Sequence, residues 1–178
     1  AMARVQPRPG GLDAATNHVH VAQLLVVLGL QTEAAGVAAQ AVEIRRAKLP
    51  ANHPDQAVAA ITAALAAGDN SAAVEPWRRA CALAESCFPT RHPFTGYAYN
   101  GLCKVETMTG RTAEGLKAGT AALAALDLDP PPHPPMLVRA LTQQAHCYLQ
   151  LRDVKTARSL MNRAQVVLDT HAKGDAES

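Results

Sequence analysis

The stretch CFPTRHPFTGYAYNGLCKVETMTGRTAEGLKAGTAAL, residues 87–123, contains one almost complete copy of a repeating pattern. His92-Pro93 opens an apolar segment, the polar break Gly110-Arg111-Thr112 interrupts it, and a second apolar segment follows. Proline suits the first residue of a helix because its φ is fixed near the helical value, and the residue before it is pushed towards an extended backbone. Glycine favours the end of a helix. The stretch therefore predicts two helices, over 93–108 and 112–126, joined by a tight turn.

The same pattern recurs on both sides of this stretch. His53-Pro54 lies 39 residues before His92 and His133-Pro134 lies 41 residues after it, while a degenerate copy starts at His18. Periods of this length are typical of helical repeat proteins, whose units stack to build one continuous core. The sequence predicts units at about 17–52, 53–91, 92–132 and 133–169, a flexible arm over 1–16 and a polar tail over 170–178. The remaining predicted helices cover 18–30, 33–48, 54–67, 71–86, 135–150 and 153–169.

Composition supports an all-α fold. The chain has 178 residues, of which 37 are alanine, the strongest helix former, whereas only 3% are the aromatic residues that favour strands. This balance excludes an all-β fold, and a hydrophobic fraction of 48% excludes a disordered chain. The net charge of +2 is spread evenly, so it gives no reason to expect a nucleic-acid or membrane partner.

Signatures of catalysis and of metal or cofactor binding are absent from the sequence. It contains no GxSxG, P-loop, GxGxxG or HExxH motif, and we therefore expect no enzyme activity and no cofactor. The His-Pro histidines recur one per unit, so we expect them to mark helix starts rather than to bind metal. Cys81, Cys87, Cys103 and Cys147 form no CxxC pair, and we expect buried thiols in a reducing compartment and a cytoplasmic protein.

Several segments resemble the tetratricopeptide repeat (TPR) of the kinesin-light-chain type. AVEIRRAKLPANHPDQA (41–57) and VEPWRRACAL (74–83) resemble the second helix and linker of those repeats, and AHCYLQLRDVKTARSLMNRAQVVL (145–168) is similar to a TPR unit. The resemblance implies an all-α, right-handed superhelical array of about four TPR-like helix-turn-helix units. It also implies a non-enzymatic scaffold whose concave groove binds a peptide or helix of a partner protein.

Two alternative interpretations remain open at the level of sequence. Residues 87–123 also resemble the TPR-like C-terminal domain of SET/MYND-type lysine methyltransferases, which would make the chain an accessory domain of such an enzyme. An upstream SET domain in the natural gene would distinguish this alternative from a free scaffold. The second alternative is a structural repeat domain that associates with itself, as a homodimer through apolar surfaces.

The candidate groove residues lie on the predicted first helices of units three and four. Alignment on His-Pro places Asn100 where the kinesin-light-chain resemblance implies a peptide-binding asparagine, and Lys104 shares its helix face at i+4. The corresponding stripe of unit four is Arg139, Gln143 and His146. These residues predict a groove that is polar and basic towards the C-terminus, and apolar towards the N-terminus. A partner with an acidic or carboxylate-bearing end would suit Lys104 and Arg139.

Overall fold

The computed structural model describes residues 10–128 and 130–176, with side chains up to residue 172. Within these residues the chain forms α-helices and one short 3₁₀ turn, Ser71–Ala73, and no strand. The helices are α1 Leu12–Val27, α2 Gln31–Lys48, α3 Pro54–Ala66, α4 Val74–Cys87, α5 Pro93–Met108, α6 Thr112–Leu126, α7 Pro134–Gln150 and α8 Val154–Ala176. The all-α prediction is confirmed.

The His-Pro dipeptides start the first helices of three units. Pro54, Pro93 and Pro134 are the first residues of α3, α5 and α7. In two units the histidine also caps the helix, because Nδ1 of His53 accepts a hydrogen bond from the Asp55 N–H and Nδ1 of His92 accepts one from the Phe94 N–H, each at 3.2 Å. His-Pro therefore supplies both a fixed φ and an acceptor for a free N–H of the first turn.

The turn within each unit depends on one residue with a left-handed backbone. Gly29, Gly68 and Gly110 have φ of 76°, 81° and 81°, which glycine adopts without steric cost. In unit four the equivalent residue is Arg152, with φ 64°. Two helices thus meet at a tight turn in every unit, as the sequence predicts for Gly110.

The helix limits differ from the predictions at both ends of the chain and in unit two. Helix α1 begins at Leu12, so the flexible arm expected over 1–16 is helical from that residue, while residues 1–9 lie outside the described part. Helix α8 continues to Ala176, so most of the expected polar tail over 170–178 is helical. In unit two the 3₁₀ turn Ser71–Ala73 precedes α4, and Asn70 caps this turn by accepting the Ala72 N–H at 2.8 Å.

Packing between the units gives the array its curvature. Each helix packs on its neighbours in sequence, and the first helices α1, α3, α5 and α7 also pack on one another in order. No comparable contact joins the second helices α2, α4, α6 and α8 within the described residues. Because the first helices lie closer together, the array curves with these helices on its concave side.

Candidate functional site

The candidate site lies on the concave side, where α3, α5 and α7 meet. A cleft of about 50 Å³ opens at this place. Three of the five residues predicted for the groove, Asn100, Lys104 and Arg139, line it. Its other lining residues are Leu65, Asp69, Trp77, Tyr97 and Gly101. The structure therefore brings together polar side chains from two different first helices, α5 and α7, in one small cleft.

Lys104 is paired within the cleft. Its Nζ lies 2.5 Å from Oδ2 of Asp69, which belongs to the turn of unit two, and both side chains are about half exposed. A surface ion pair of this kind contributes only about 0–1 kcal/mol to stability. A carboxylate of a partner would therefore compete with Asp69 for Lys104 at a modest energetic cost.

Arg139 is exposed and lies over an aromatic ring of the neighbouring unit. Its guanidinium carbon is 5.7 Å from the centre of the Tyr97 ring. A cation over an aromatic face is stabilised by roughly 0.5–1 kcal/mol at an exposed site. This contact orients the guanidinium across the junction of α5 and α7 and leaves its N–H groups available to donate to a carboxylate in a bidentate manner.

Two buried amide atoms on the same helices have no hydrogen-bond partner in the described structure. They are Oδ1 of Asn100 and Nε2 of Gln143. A buried polar atom without a partner costs about 1–3 kcal/mol, so such atoms favour a ligand that satisfies them. One atom is an acceptor and the other is a donor.

Gln143 and His146 do not line the cleft, although they lie on the same helix as Arg139. Gln143 is half-buried and His146 is exposed. The structure therefore separates the predicted set into three residues in the cleft and two farther along α7.

Equivalent positions of the four first helices are found by counting back from the residue with positive φ in each turn. Six positions before Gly29, Gly68, Gly110 and Arg152 stand Gln23, Thr62, Lys104 and His146. Two of these equivalent residues are in contact across units one and two, because Nε2 of Gln23 donates to Oγ1 of Thr62 at 3.5 Å.

A second equivalent pair also meets across neighbouring helices. Tyr97 lies thirteen positions before Gly110, Arg139 lies thirteen positions before Arg152, and the two side chains are in contact. Alignment on His-Pro misses this register because the first helices differ in length, with 13 residues in α3 and 16 in α5. The turn residue was the signal that could have found Gln23 and Tyr97, whereas Asp69 lies in a loop that no helix periodicity covers.

Larger cavities lie on the side of the second helices. One of about 510 Å³ is placed between α2 and α4, above α3, with a mainly apolar lining that includes Val42, Ala60 and Leu83. Another of about 310 Å³ lies between α4 and α6 and contains the buried Glu106. These cavities arise because the second helices spread apart on the outside of the curve, and neither contains a residue predicted for the groove.

The second helices also carry the Arg45-Arg46 and Arg78-Arg79 pairs, for which a solvated face is the simplest expectation. That expectation is wrong for Arg45, which is buried. Its guanidinium donates to the carbonyl of Asp55 at 2.9 Å and to Oγ1 of Thr16 at 3.4 Å. Arg45 therefore ties α2 to α3 and α1, and belongs to the packing of the first two units.

Comparison with solved structures identifies the architecture. The structure of BtubC (BKLC) from P. vanneervenii superposes with a TM-score of 0.79 at 15% identity, covering 94% of this chain and 68% of that one. A Podosopora anserina protein described as a kinesin light chain with nearly identical TPR-like repeats gives a TM-score of 0.72 at 19% identity, covering 92% of this chain and 77% of that one. A variant of that protein with one substitution gives 0.71 at 20% identity, covering 89% and 74%.

The chain has the TPR-like repeat fold. At these identities the likeness concerns the fold, and it confirms the kinesin-light-chain type of resemblance at that level. No protein-family model and no curated protein matches the sequence. None of the three descriptions names a methyltransferase, so the resemblance to SET/MYND enzymes stays a hypothesis.

The described residues were also searched for a membrane-spanning helix and for a metal-binding group. Among residues 10–128 and 130–176, no helix is both long and apolar enough to cross a membrane. In the same part of the chain, no group of three or more His, Cys, Asp or Glu side chains is arranged to hold a metal ion.

Proposed function

We propose that this protein is a non-enzymatic interaction scaffold that binds an extended peptide segment of another protein along its concave side. The observation that carries the proposal is the cleft at α5 and α7, where Asn100, Lys104 and Arg139 converge. Asn100 lines this cleft, and its side-chain amide can pair with the N–H and C=O groups that a peptide backbone offers in alternation.

Charge favours a peptide that carries a carboxylate. The cleft contains two cations, Lys104 and Arg139, against one anion, Asp69. A peptide with an acidic residue or a free C-terminus can pair with Arg139 and displace Asp69 from Lys104, and charge-assisted hydrogen bonds of this kind are stronger than neutral ones. The preferred partner is therefore a polar, acidic segment rather than a basic one.

A peptide library screened on the purified protein tests this proposal. Peptides that bind are then titrated against the double variant Asn100→Ala, Arg139→Ala by fluorescence anisotropy, and we expect at least a tenfold loss of affinity. The matched control is Asn162→Ala, Arg158→Ala, which removes the same two residue types from the exposed surface of α8. Equal affinity of the native protein and the cleft variant, with the helical content retained, would contradict the proposed site.

Self-association is a second candidate function, supported by the exposed face of α1. Val21, Leu24 and Leu28 are exposed by 44%, 64% and 70%, and they recur at helical spacing on one face. Helix α1 packs mainly on α2 and α3, and these three side chains stay exposed in the described structure. Light scattering at several concentrations tests the candidate; a dimer that Leu24→Gln, Leu28→Gln abolishes supports it, and a strict monomer excludes it.

A further inference from the structure

Two cysteines from neighbouring units lie against each other in the core. Cys103 is on α5 and Cys147 is on α7, and both are fully buried. Their Sγ atoms are 3.5 Å apart, and both residues are free thiols. No other pair among the four cysteines has a sulfur–sulfur contact in the described structure, so this juxtaposition is specific to the junction of units three and four.

The surroundings hold the two thiols in place. Oγ1 of Thr107 donates to the carbonyl of Cys103 at 2.6 Å and lies 3.1 Å from Sγ of Cys147. Gly119 of α6 also approaches Cys103, so closely that a Cβ there would lie 3.1 Å from Sγ of Cys103. The thiols therefore have little freedom to turn away from each other.

We propose that Cys103 and Cys147 form an oxidisable dithiol, which a hydroperoxide converts into a disulfide that links α5 to α7. A contact of 3.5 Å needs only a small approach of the two sulfurs to reach the disulfide bond length of about 2.05 Å. Since the two cysteines lie on adjacent helices of different units, the bond would join the two units covalently.

The reaction proceeds in two balanced steps. The thiolate of one cysteine attacks one peroxide oxygen, so that an S–O bond forms, the O–O bond breaks, and the hydroxide or alkoxide that leaves takes up a proton to give water or an alcohol. The sulfur of the other cysteine then attacks the sulfenic acid; the S–S bond forms, the S–O bond breaks, and water leaves with the proton of the second thiol. The two thiols lose two electrons in total, and the peroxide is reduced to water or to water and an alcohol.

The two thiols affect each other's acidity. Their contact lowers the pKa of Cys147, while the same contact and burial raise the pKa of Cys103. The same disulfide forms whichever of the two sulfurs reacts with the peroxide first. Both are buried, so the peroxide reacts when the α5–α7 contact opens transiently, as contacts between stacked repeats do.

The disulfide would also act on the concave side. Cys103 immediately precedes Lys104, and Cys147 immediately follows His146. Lys104 and His146 occupy equivalent positions of their units, so a covalent link beneath them fixes their spacing. This consequence concerns the groove, whereas formation of the disulfide does not depend on the proposed function.

Peptide mapping tests the inference directly. The full chain carrying Cys87→Ala, which removes the half-buried thiol, is treated with hydrogen peroxide, alkylated under denaturing conditions and digested with trypsin without reductant. Trypsin places Cys103 in peptide 92–104 and Cys147 in peptide 140–152, apart from Cys81 in peptide 80–91. We expect a linked pair 92–104/140–152, lighter than the two free peptides by two hydrogens and cleaved by a reductant.

Two variants complete the experiment. Cys147→Ala should abolish the linked pair, whereas the matched control Cys81→Ala, which removes a buried thiol from another cluster, should leave it unchanged. Recovery of peptides 92–104 and 140–152 as separate species after peroxide treatment, whether alkylated or further oxidised, would overturn the proposal. That result needs neither Cys147→Ala nor Cys81→Ala, so the inference is testable even if Cys147→Ala folds poorly.

Discussion

The indole ring of Trp77 on α4 lies directly against the backbone of Gly101 on α5. A Cβ at Gly101 would be 2.4 Å from the Cη2 and Cζ3 atoms of the ring, a distance that real contacts do not reach. Trp77 is buried, and both residues line the concave cleft. The absence of a side chain at one helical position thus lets the single tryptophan join units two and three beneath the candidate site.

Gly101→Ala should therefore destabilise the protein, although alanine is the better helix former. Overpacking a rigid ring costs about 1–3 kcal/mol, which exceeds the gain of roughly 0.5–1 kcal/mol from replacing glycine in a helix. Urea unfolding followed by circular dichroism measures the change. Gly36→Ala is the matched control, since nothing lies within 4 Å of its Cβ position in α2, and it should be neutral or stabilising. Equal effects of the two substitutions would refute this explanation.

Glu106→Gln tests a buried carboxylate between two arginines. Glu106 is 1% exposed and accepts hydrogen bonds from Arg78, at 2.9 Å, and from Arg111. Removing its charge weakens both ion pairs. Because the arginine side chains are half exposed and water can still solvate them, we expect the free energy of unfolding to fall by only about 1–3 kcal/mol.

The control for this substitution is Glu114→Gln, whose exposed pair with Lys117 should contribute less than about 0.5 kcal/mol. Free energies of unfolding from urea titrations compare the two variants. A Glu106→Gln protein as stable as the control would show that the buried carboxylate contributes nothing.

The parts of the fold that depend on local sequence could be predicted. Pro93 and Gly110 fix the backbone at single positions, and helices α5 and α6 begin and end at the predicted residues. The start of α1 at Leu12 was not predicted because no His-Pro marks the entry into unit one. Residues 12–17 contain nothing that excludes a helix, but they also contain no signal for its first residue.

The parts of the structure that depend on contacts between units could not be predicted from the sequence. Arg45 is buried because Asp55 and Thr16 reach it from two other helices, and no pattern within α2 indicates this. The same applies to the cleft: Asn100 and Lys104 follow from helical spacing, whereas Asp69 and Tyr97 enter through the stacking of units. Their positions required the register that the left-handed turn residues define.

The histidine cap of α5 should make stability depend on pH. Nδ1 of His92 accepts the Phe94 N–H and must be unprotonated to do so. Burial lowers the pKa of His92 from its ordinary value of 6.5, and the nearby His133 lowers it further. The folded state thus binds the proton more weakly than the unfolded state, so this contribution is present above pH 6.5 and is lost as the pH falls through the lowered pKa.

Thermal midpoints measured between pH 8 and pH 5 test this dependence. The stability lost on acidification should be about 1 kcal/mol, the usual contribution of a helix cap. The matched variant is His92→Asn, whose side-chain oxygen can accept the same N–H without titrating in this range. We expect the native midpoint to fall more than that of the variant on acidification. Parallel pH profiles of the two proteins would exclude His92 as the cause.

Asp69→Asn should strengthen binding of a carboxylate-bearing peptide. In the described structure Asp69 holds Lys104 at 2.5 Å, so a peptide carboxylate has to displace it. Because an exposed pair of this kind is worth at most about 1 kcal/mol, neutralising Asp69 should improve the affinity by up to about fivefold. Asp169→Asn on α8 makes the same change of net charge far from the cleft and separates local from general electrostatics. Anisotropy titrations at low and moderate salt compare them, and the gain should shrink as salt screens it. An affinity that falls in Asp69→Asn would mean that Asp69 contacts the peptide itself.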